Sequence, residues 1–270
     1  INPEFSEANY NLGLVFHACG QLDEAISSYR NALSIKPDYP EAHNNLGMTF
    51  WKLGKFEAAV DSCEKAISLR PDLAEAHNNL GVAFQAKGNT DEAVICYQKA
   101  IEQKPDYADA HYNLGKGLQL LGNRYEAISS YHNTLKLEPD YAEAFNSLGV
   151  VLCDMGQFDK ALTSTKKALS INPEYAEAHN NLGNVLKEKG KLDEAVVSFR
   201  KAISLNPEYK NAKFNLAIVL KSLGKLDDAL EIFETVETPL GYAILLECLF
   251  ALGKYDRFYE EQKASGAKYS

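Results

Sequence analysis

The residues in this chain best suited to metal binding or acid–base chemistry are its histidines. Four of them recur at a fixed interval or twice that interval, at His43, His77, His111 and His179. Metal ligands must converge within a few ångströms of one ion. Side chains with so long a period stand on successive parallel helices, whose axes lie roughly 8–10 Å apart, so they form a row instead of surrounding a point. We therefore expect these histidines to have a packing role and predict no metal site.

Cysteine usage argues against a disulfide framework and a zinc site. The five cysteines are widely spaced and include no Cys-x-x-Cys pair; they are Cys19, Cys63, Cys96, Cys153 and Cys248. This pattern predicts free thiols in a reducing, cytoplasmic compartment. The chain also lacks G-x-S-x-G, H-E-x-x-H and glycine-rich phosphate-loop motifs. We therefore predict that it is not an enzyme and needs no cofactor.

The balance of charge disfavours two classes of partner. The chain has 28 Lys+Arg against 37 Asp+Glu, a formal net charge of -9. Binding to nucleic acid depends on clustered cations that displace counterions from the phosphates. An anionic membrane surface is disfavoured for the same reason, and no apolar run approaches the roughly 20 residues of a membrane helix. We predict neither nucleic acid nor membrane as a partner.

Four series of small or cyclic residues recur with one shared period. The prolines stand at Pro3, Pro37, Pro71, Pro105, Pro139, Pro173 and Pro207. One glycine series runs from Gly20 to Gly224 and a second from Gly13 to Gly183, where Ala217 closes it; alanines recur from Ala25 to Ala229. Interleaved series with a period of about 34 residues identify an internal repeat.

Seven repeats, the last of them shortened, cover residues 6–238 and start at positions 6, 40, 74, 108, 142, 176 and 210. Apolar residues in both halves of a repeat mostly follow helical spacing. The Leu-Gly pair between the halves is a helix stop, since glycine takes the left-handed conformation at low cost. A proline ends the second helix because it lacks an N–H and its ring clashes with the preceding turn. Each repeat is therefore predicted to be helix, tight turn, helix.

This pattern resembles the tetratricopeptide repeat (TPR) family. Leu-Gly, Ala, an aromatic residue, Ala and Pro recur in register over almost nine-tenths of the chain. The resemblance implies an all-α solenoid that forms a right-handed superhelix, with the first helices inside and the second helices outside. It further implies a protein partner, usually held as an extended peptide in the inner groove.

Both ends of the chain depart from the regular repeat. Residues 1–5 read INPEF, which matches INPEY at 171–175, so we expect the tail of a preceding repeat and a longer parent array. Residues 239–262 are predicted to form a degenerate capping hairpin, and residues 263–270 a tail. Self-association through the open ends of the solenoid is a further option that the pattern leaves open.

The predicted groove carries a row of asparagines. On a helical wheel, positions 2, 6, 9 and 13 of a repeat fall within about 60° of one another, away from the core positions. The sixth position is Ser147 in the fifth repeat and asparagine in the others: Asn11, Asn45, Asn79, Asn113, Asn181 and Asn215. A primary amide offers a donor and an acceptor, so such a row could hold a peptide backbone. Alternatively, these amides are solvated or bond a neighbouring backbone and so fix the superhelix. The repeat arm of O-linked N-acetylglucosamine transferases is similar in having such a row.

Neighbouring positions are predicted to tune selectivity for the peptide. The fifth position alternates between aromatic residues (Tyr10, Tyr112) and asparagines (Asn44, Asn78). The ninth position supplies apolar contacts, among them Met48 and Val82, and Trp51 at the twelfth position is a candidate anchor.

The second position of each repeat is acidic in six of the seven, with Asn211 as the exception: Glu7, Glu41, Glu75, Asp109, Glu143 and Glu177. Chaperone-binding TPR proteins carry lysine there and clamp a C-terminal carboxylate, which these acids could not do. We therefore predict a neutral or basic ligand. The alternative is that the acids only complement the N-terminus of each first helix.

Two functions fit this sequence. The first is a protein–protein interaction scaffold that binds an extended peptide or partner segment in its groove. The second is the substrate-recognition arm of a larger enzyme, such as a glycosyltransferase or an oxygenase, whose catalytic domain lies outside this chain. Sequence-reading RNA repeats share the helical-hairpin layout, but the acidic row on the first helices disfavours that function.

Overall fold

A computed structural model of the chain describes residues 3–235 and 238–268, which contain sixteen α-helices and no strand. The fold is an all-α solenoid of helical hairpins, as predicted. The chain divides into two compact bodies, an N-terminal body of residues 1–139 and a C-terminal body of residues 140–270.

The N-terminal body holds four hairpins. Their helices are α1 (Pro3–Ala18), α2 (Leu22–Ile35), α3 (Pro40–Lys52), α4 (Phe56–Leu69), α5 (Ala74–Ala86), α6 (Thr90–Gln103), α7 (Ala108–Leu120) and α8 (Arg124–Leu137). The C-terminal body holds four more, formed by α9 (Ala142–Asp154), α10 (Phe158–Ile171), α11 (Ala176–Glu188), α12 (Leu192–Leu205), α13 (Lys210–Ser222), α14 (Leu226–Phe233), α15 (Pro239–Ala251) and α16 (Tyr255–Lys268).

The ends differ from the sequence prediction. Helix α1 already begins at Pro3, so residues 3–5 are helical; proline suits the first turn of a helix, where its missing N–H costs nothing. Helix α16 continues to Lys268, so most of the predicted tail is helical, because Glu, Gln, Lys and Ala favour helix and no proline interrupts them. Residues 1, 2, 236, 237, 269 and 270 lie outside the described residues.

The seventh repeat ends early. Its second helix, α14, has 8 residues, whereas α12 has 14. The next helix starts at Pro239, where the Thr238 hydroxyl oxygen accepts a hydrogen bond from the Gly241 N–H at 3.0 Å. This early cap and the proline that follows it set the start of the last hairpin.

The glycine between the two helices of a hairpin has the conformation expected of a helix stop. Gly54 has a φ of +72°, and the seven equivalent glycines, which include Gly253 of the last hairpin, have φ values between 69° and 88°. A side chain at such a φ is strained, so the tight turn depends on glycine.

The glycine at the eighth position lets the two helices of a hairpin pack closely. A Cβ added to Gly13 would lie 2.5 Å from the ring of Tyr29, and one added to Gly183 would lie 2.5 Å from the ring of Phe199. Both rings are fully buried, as are those of Tyr97, Tyr131 and Phe233 in the corresponding place. The small first-helix residue thus makes room for the large second-helix residue.

Each body has a hydrophobic core that contains some of these aromatic side chains. In the C-terminal body the core extends into the last hairpin through Leu245, Cys248 and Leu249, and Phe258 packs against it. Phe258 therefore contributes to the hairpin's core. Phe250 and Tyr259 are 55% and 56% exposed, so they do not.

The periodic histidines hold the junction between repeats. The ring Nε2 of His77 lies 2.8 Å from the Pro71 carbonyl oxygen, six residues earlier, and His43, His111 and His179 make the same hydrogen bond at 2.9–3.0 Å. Each ring thus caps a turn that would leave a carbonyl without a partner. This geometry gives the histidines the structural role that the spacing indicated.

Two cysteines of the N-terminal body should resist alkylation. Burial raises the pKa of Cys63 to about 12 and that of Cys96 to about 11, whereas Cys19 is exposed. Because the thiolate is the nucleophile, almost none of the reactive form of Cys63 or Cys96 exists at pH 8. Iodoacetamide at pH 8 should modify Cys19 and leave both buried thiols unmodified until denaturant is added, as mass spectrometry of peptides would show. Labelling of native Cys63 at the rate of Cys19 would contradict this expectation.

Candidate functional site

The first helices of neighbouring repeats lie side by side and form one face in each body. Helix α3 contacts α1 and α5 in the N-terminal body, and α11 contacts α9 and α13 in the C-terminal body. We call this surface the first-helix face. It carries the second, fifth, sixth and ninth positions, where the sequence placed the candidate peptide-binding residues.

The sixth-position asparagines link neighbouring repeats by hydrogen bonds. Except in Asn11, the Nδ2 donates to the fifth-position side chain of the preceding repeat at 2.9–3.0 Å; the pairs are Asn45 to Tyr10, Asn79 to Asn44, Asn113 to Asn78, Asn181 to Asn146 and Asn215 to Asn180. These amides therefore fix the spacing of the first helices. The bond joins two side chains, not a side chain and a backbone.

The fifth-position asparagines lie below the surface. Asn44 and Asn78 are 7% and 5% exposed, so the prediction that they contact a peptide directly needs correction. A buried amide must find partners within the protein, and these use their oxygen for the next repeat. Their Nδ2 groups lie 3.4 and 3.5 Å from the Oδ1 of the adjacent Asn45 and Asn79. They support the sixth-position residues from beneath.

A second link comes from the tyrosine at the junction of two repeats. The Asn146 Nδ2 lies 3.4 Å from the Tyr175 hydroxyl and 3.3 Å from the Glu177 Oε1. Burial, followed by the negative charges of Asp109 and Glu75, raises the pKa of Tyr107 to about 12, against which a hydrogen bond from Asn78 acts. The junction tyrosines thus belong to the same polar network as the asparagines.

The inter-repeat bond uses only part of each sixth-position amide. Asn45, Asn79, Asn113, Asn181 and Asn215 are all half-buried, with a second N–H and an oxygen lone pair not engaged by it. Asn11 is exposed and makes no hydrogen bond to any described residue. The first-helix face therefore presents one amide edge per repeat.

The remaining candidates differ in accessibility. Met48 and Val82 are half-buried at the ninth position. Trp51 is also half-buried and packs against the core of the N-terminal body, so part of its ring is committed to the fold. Tyr10 packs against Tyr39, with ring centroids 4.9 Å apart, and Tyr112 lies 6.0 Å from the ring of Tyr131.

The acids at the second position differ in their partners. Glu41 and Glu75 form ion pairs with the residue at position 31 of their own repeat: Glu41 with Arg70 at 2.5 Å and Glu75 with Lys104 at 3.6 Å. Glu177 takes part in no ion pair within the described residues, and its repeat has Asn206 at position 31. If these acids served only to stabilise the N-terminus of each first helix, there would be no reason for some of them to have a basic partner and others none. The sequence analysis did not predict these ion pairs, although the basic residue at position 31 of both repeats is visible in the sequence.

One part of the first-helix face in the C-terminal body is a cleft. It is lined by a single carboxylate, an apolar side chain, two aromatic rings and five amides: Glu177, Val150, Tyr209, Phe214, Asn180, Asn181, Asn184, Asn211 and Asn215. No lysine or arginine is among these lining residues. We call it the α11–α13 cleft.

Nothing in the described ranges gathers metal ligands or spans a bilayer. No group of three or more His, Cys, Asp or Glu side chains within residues 3–235 and 238–268 is placed to hold a metal ion. Across the same part of the chain, each helix is too short or too polar to cross a membrane.

Comparison with known families agrees with this architecture. A TPR-repeat family model matches residues 13–54, 86–122 and 151–190, and two tetratricopeptide-repeat models match residues 40–73, 176–209 and 62–95. The chain therefore belongs to the tetratricopeptide repeat family. No curated protein matches it in sequence.

Solved structures show the same fold. The MamA protein is 30% identical over 64% of this chain and 95% of its own, with a TM-score of 0.54. YrrB, described as a TPR protein with an unusual peptide-binding site, is 23% identical over 68% of this chain and 95% of its own, with a TM-score of 0.55. The APC/C hetero-tetramer Cut9–Hcn1 gives a TM-score of 0.78 at 18% identity, over 88% of this chain and 48% of the matched chain.

Family and fold together define the class of function. A TPR array is a scaffold suited to protein–protein interaction, and such folds typically have no catalytic activity of their own.

Proposed function

We propose that the chain binds an extended segment of a partner protein along its first-helix face. The observation that carries the proposal is the row of half-buried sixth-position amides, each with one N–H and one lone pair beyond its inter-repeat bond. Such groups can bond the main chain of any extended peptide, because every residue except proline has a backbone donor and acceptor.

The distance between the first helices of neighbouring repeats suits the binding of an extended segment. Neighbouring packed helices lie roughly 8–10 Å apart. An extended or polyproline-like chain advances about 3.1–3.4 Å per residue. One amide would therefore meet about every third residue of the segment, and the ninth-position side chains, such as Met48 and Val82, would contact residues between.

The charge of the face favours a neutral or basic segment. Glu7, Glu143 and Glu177 are exposed at the second position, and none forms an ion pair with a lysine or arginine among the salt bridges of the described residues. Electrostatic complementarity would speed the encounter with a basic segment and disfavour an acidic one. The same face would serve if the chain were the recognition arm of a larger enzyme.

A pair of substitutions in one repeat tests where the peptide binds. Val82→Arg places a long side chain on the first-helix face without replacing an inter-repeat amide, and Ile95→Arg makes the same charge change on α6, where Ile95 is 52% exposed. Peptides selected from an array with the wild-type protein should bind Val82→Arg at least about tenfold more weakly by fluorescence anisotropy, a loss of roughly 1.4 kcal/mol. Ile95→Arg should bind them as the wild type does.

The amides themselves are tested by Asn79→Ala, with Gln98→Ala on the exposed face of α6 as the matched loss of an amide. Circular dichroism and a urea titration establish that both variants are folded. Asn79→Ala should weaken binding of the selected peptides, whereas Gln98→Ala should leave their binding unchanged. Peptide binding that survives Val82→Arg and Asn79→Ala in folded protein would refute a site on this face.

A further inference from the structure

The α11–α13 cleft lacks a positive charge that a residue of the protein provides at the equivalent place in repeats 1 to 3. In repeat 3, Lys104 at position 31 pairs with Glu75 and lies over the ring of Tyr107, with its Nζ 5.0 Å from the ring centroid. One lysine thus neutralises the second-position acid and covers the face of the junction tyrosine. The acid and the ring together form a place for a cation.

The same cation recurs in the first two repeats. The Lys36 Nζ lies 4.2 Å from the centroid of the Tyr39 ring, and Arg70 pairs with Glu41 at 2.5 Å. Position 31 is therefore basic in repeats 1 to 3, and in each of them it contacts the acid, the ring or both.

Repeat 6 keeps the acid and the ring but not the cation. Position 31 is Asn206, whose Oδ1 accepts a hydrogen bond from the Glu208 N–H at 3.1 Å and so faces its own turn. Glu177 and Tyr209 both line the cleft. Burial, followed by the negative charge of Glu177, raises the pKa of the Tyr209 hydroxyl. Neither has a basic partner among the described residues.

The rest of the cleft adds acceptors and a second ring. Asn184 and Asn211 line it and make no hydrogen bond to any described residue, so their Oδ1 atoms are available. Phe214 is half-buried and also lines the cleft. A planar group with several N–H donors could bond Glu177 and both amide oxygens while lying against an aromatic face.

We propose that the α11–α13 cleft binds an arginine side chain of the partner segment. A guanidinium has five N–H donors in a fixed plane and stacks on aromatic rings, whereas an ammonium is a point charge with three donors. The proposal rests on the proposed function in that the arginine belongs to the bound segment, and it assigns the preference for a basic ligand to one cleft.

The direct probe is N-acetyl-L-arginine amide, with the lysine and glutamine derivatives as comparisons. In a ¹⁵N–¹H correlation spectrum, the arginine derivative should shift the side-chain amide signals of Asn184 and Asn211 in a saturable manner. The lysine derivative should bind more weakly, and the glutamine derivative should leave these signals unchanged.

Three variants separate charge from structure. Glu177→Gln should weaken binding of the arginine derivative about tenfold, while it keeps an oxygen to accept from Asn146. Glu174→Gln, an exposed acid outside the cleft, should have no effect. Asn206→Lys restores the basic residue of repeats 1 to 3 and should compete for the same place, so it too should weaken binding.

An equal response to the arginine and glutamine derivatives, or an unchanged response in Glu177→Gln, would overturn the arginine site. Peptides with and without one arginine distinguish this failure from that of the proposed function. If neutral peptides bind and an arginine residue does not increase their affinity, the proposed function is supported and the arginine site is refuted. If the arginine derivative binds the cleft and no peptide binds the face, the proposed function is refuted and the cleft is a guanidinium site that does not serve a bound segment.

Discussion

Replacing Gly81 with alanine should lower the free energy of unfolding by about 2 kcal/mol, the typical cost of overpacking a tight core. The new Cβ would lie 2.6 Å from the Cε1 of Tyr97 and 3.1 Å from the Ala93 carbonyl oxygen. Tyr97 is fully buried and its hydroxyl donates to the Gln85 Oε1 at 2.8 Å, so the ring has no room to withdraw. Overpacking of this kind costs roughly 1–3 kcal/mol, which outweighs the gain of about 0.5–1 kcal/mol from alanine in a helix.

Gly117→Ala is the matched control for this substitution. It makes the same change in a first helix of the same body, but the added Cβ would meet one close atom, the Val94 Cγ2 at 2.9 Å. Urea midpoints at an unchanged m-value give the comparison. Gly117→Ala should cost clearly less than Gly81→Ala, and equal midpoints would show that the ring of Tyr97 does not limit the approach of the helices.

Asn113→Ala should destabilise the N-terminal body by about 1–2 kcal/mol, because it leaves a buried acceptor unpaired. Asn11→Ala, an exposed substitution, should be neutral within about 0.5 kcal/mol. Both residues are at the sixth position, but only Asn113 donates to a buried acceptor, the Asn78 Oδ1 at 3.0 Å. An unpaired buried oxygen costs roughly 1–3 kcal/mol, offset in part by the better helix propensity of alanine.

Thermal unfolding of the two variants side by side measures this difference. Asn11 is exposed and has no hydrogen-bond partner among the described residues, so it isolates the effect of losing an asparagine from a first helix. Equal melting temperatures would mean that the inter-repeat bond contributes no net stability. In that event the asparagines would be free to serve the ligand alone.

The regular part of the fold could be predicted because its signals are local. A glycine that must take a positive φ, such as Gly54, and a proline that cannot continue a helix act on their own neighbourhood, and the period repeats them. The eighth-position glycine was also predictable, since a small residue opposite a large one is a property of a single hairpin.

The polar contacts between repeats were harder to predict. The bond from Asn79 to Asn44 joins residues 35 apart, and its existence depends on how deeply the fifth position is buried. A helical wheel places that position beside the groove but gives no depth, so Asn44 was predicted to contact the ligand. The ion pair between Glu75 and Lys104 joins residues that are most of a repeat apart, so a helical wheel of one helix could not predict it.

Irregular ends depend on competition between weak preferences. Helix α16 continues to Lys268 and α14 stops at Phe233, and neither end carries the Leu-Gly or terminal proline found in the regular repeats. Where such strong signals are absent, the weaker helix preferences of the individual residues decide where the helix ends.

The asparagine bond between repeats has a direction, which bears on how the array can grow. Each repeat of this type gives an acceptor to the repeat that follows it, as Asn78 does, and a donor to the repeat before it, as Asn79 does. A copy of repeat 3 placed directly after the original would therefore find its donor and acceptor already matched, with no compensating substitution. Duplication alone would lengthen the array, and every repeat gained in this way would add one amide to the binding face.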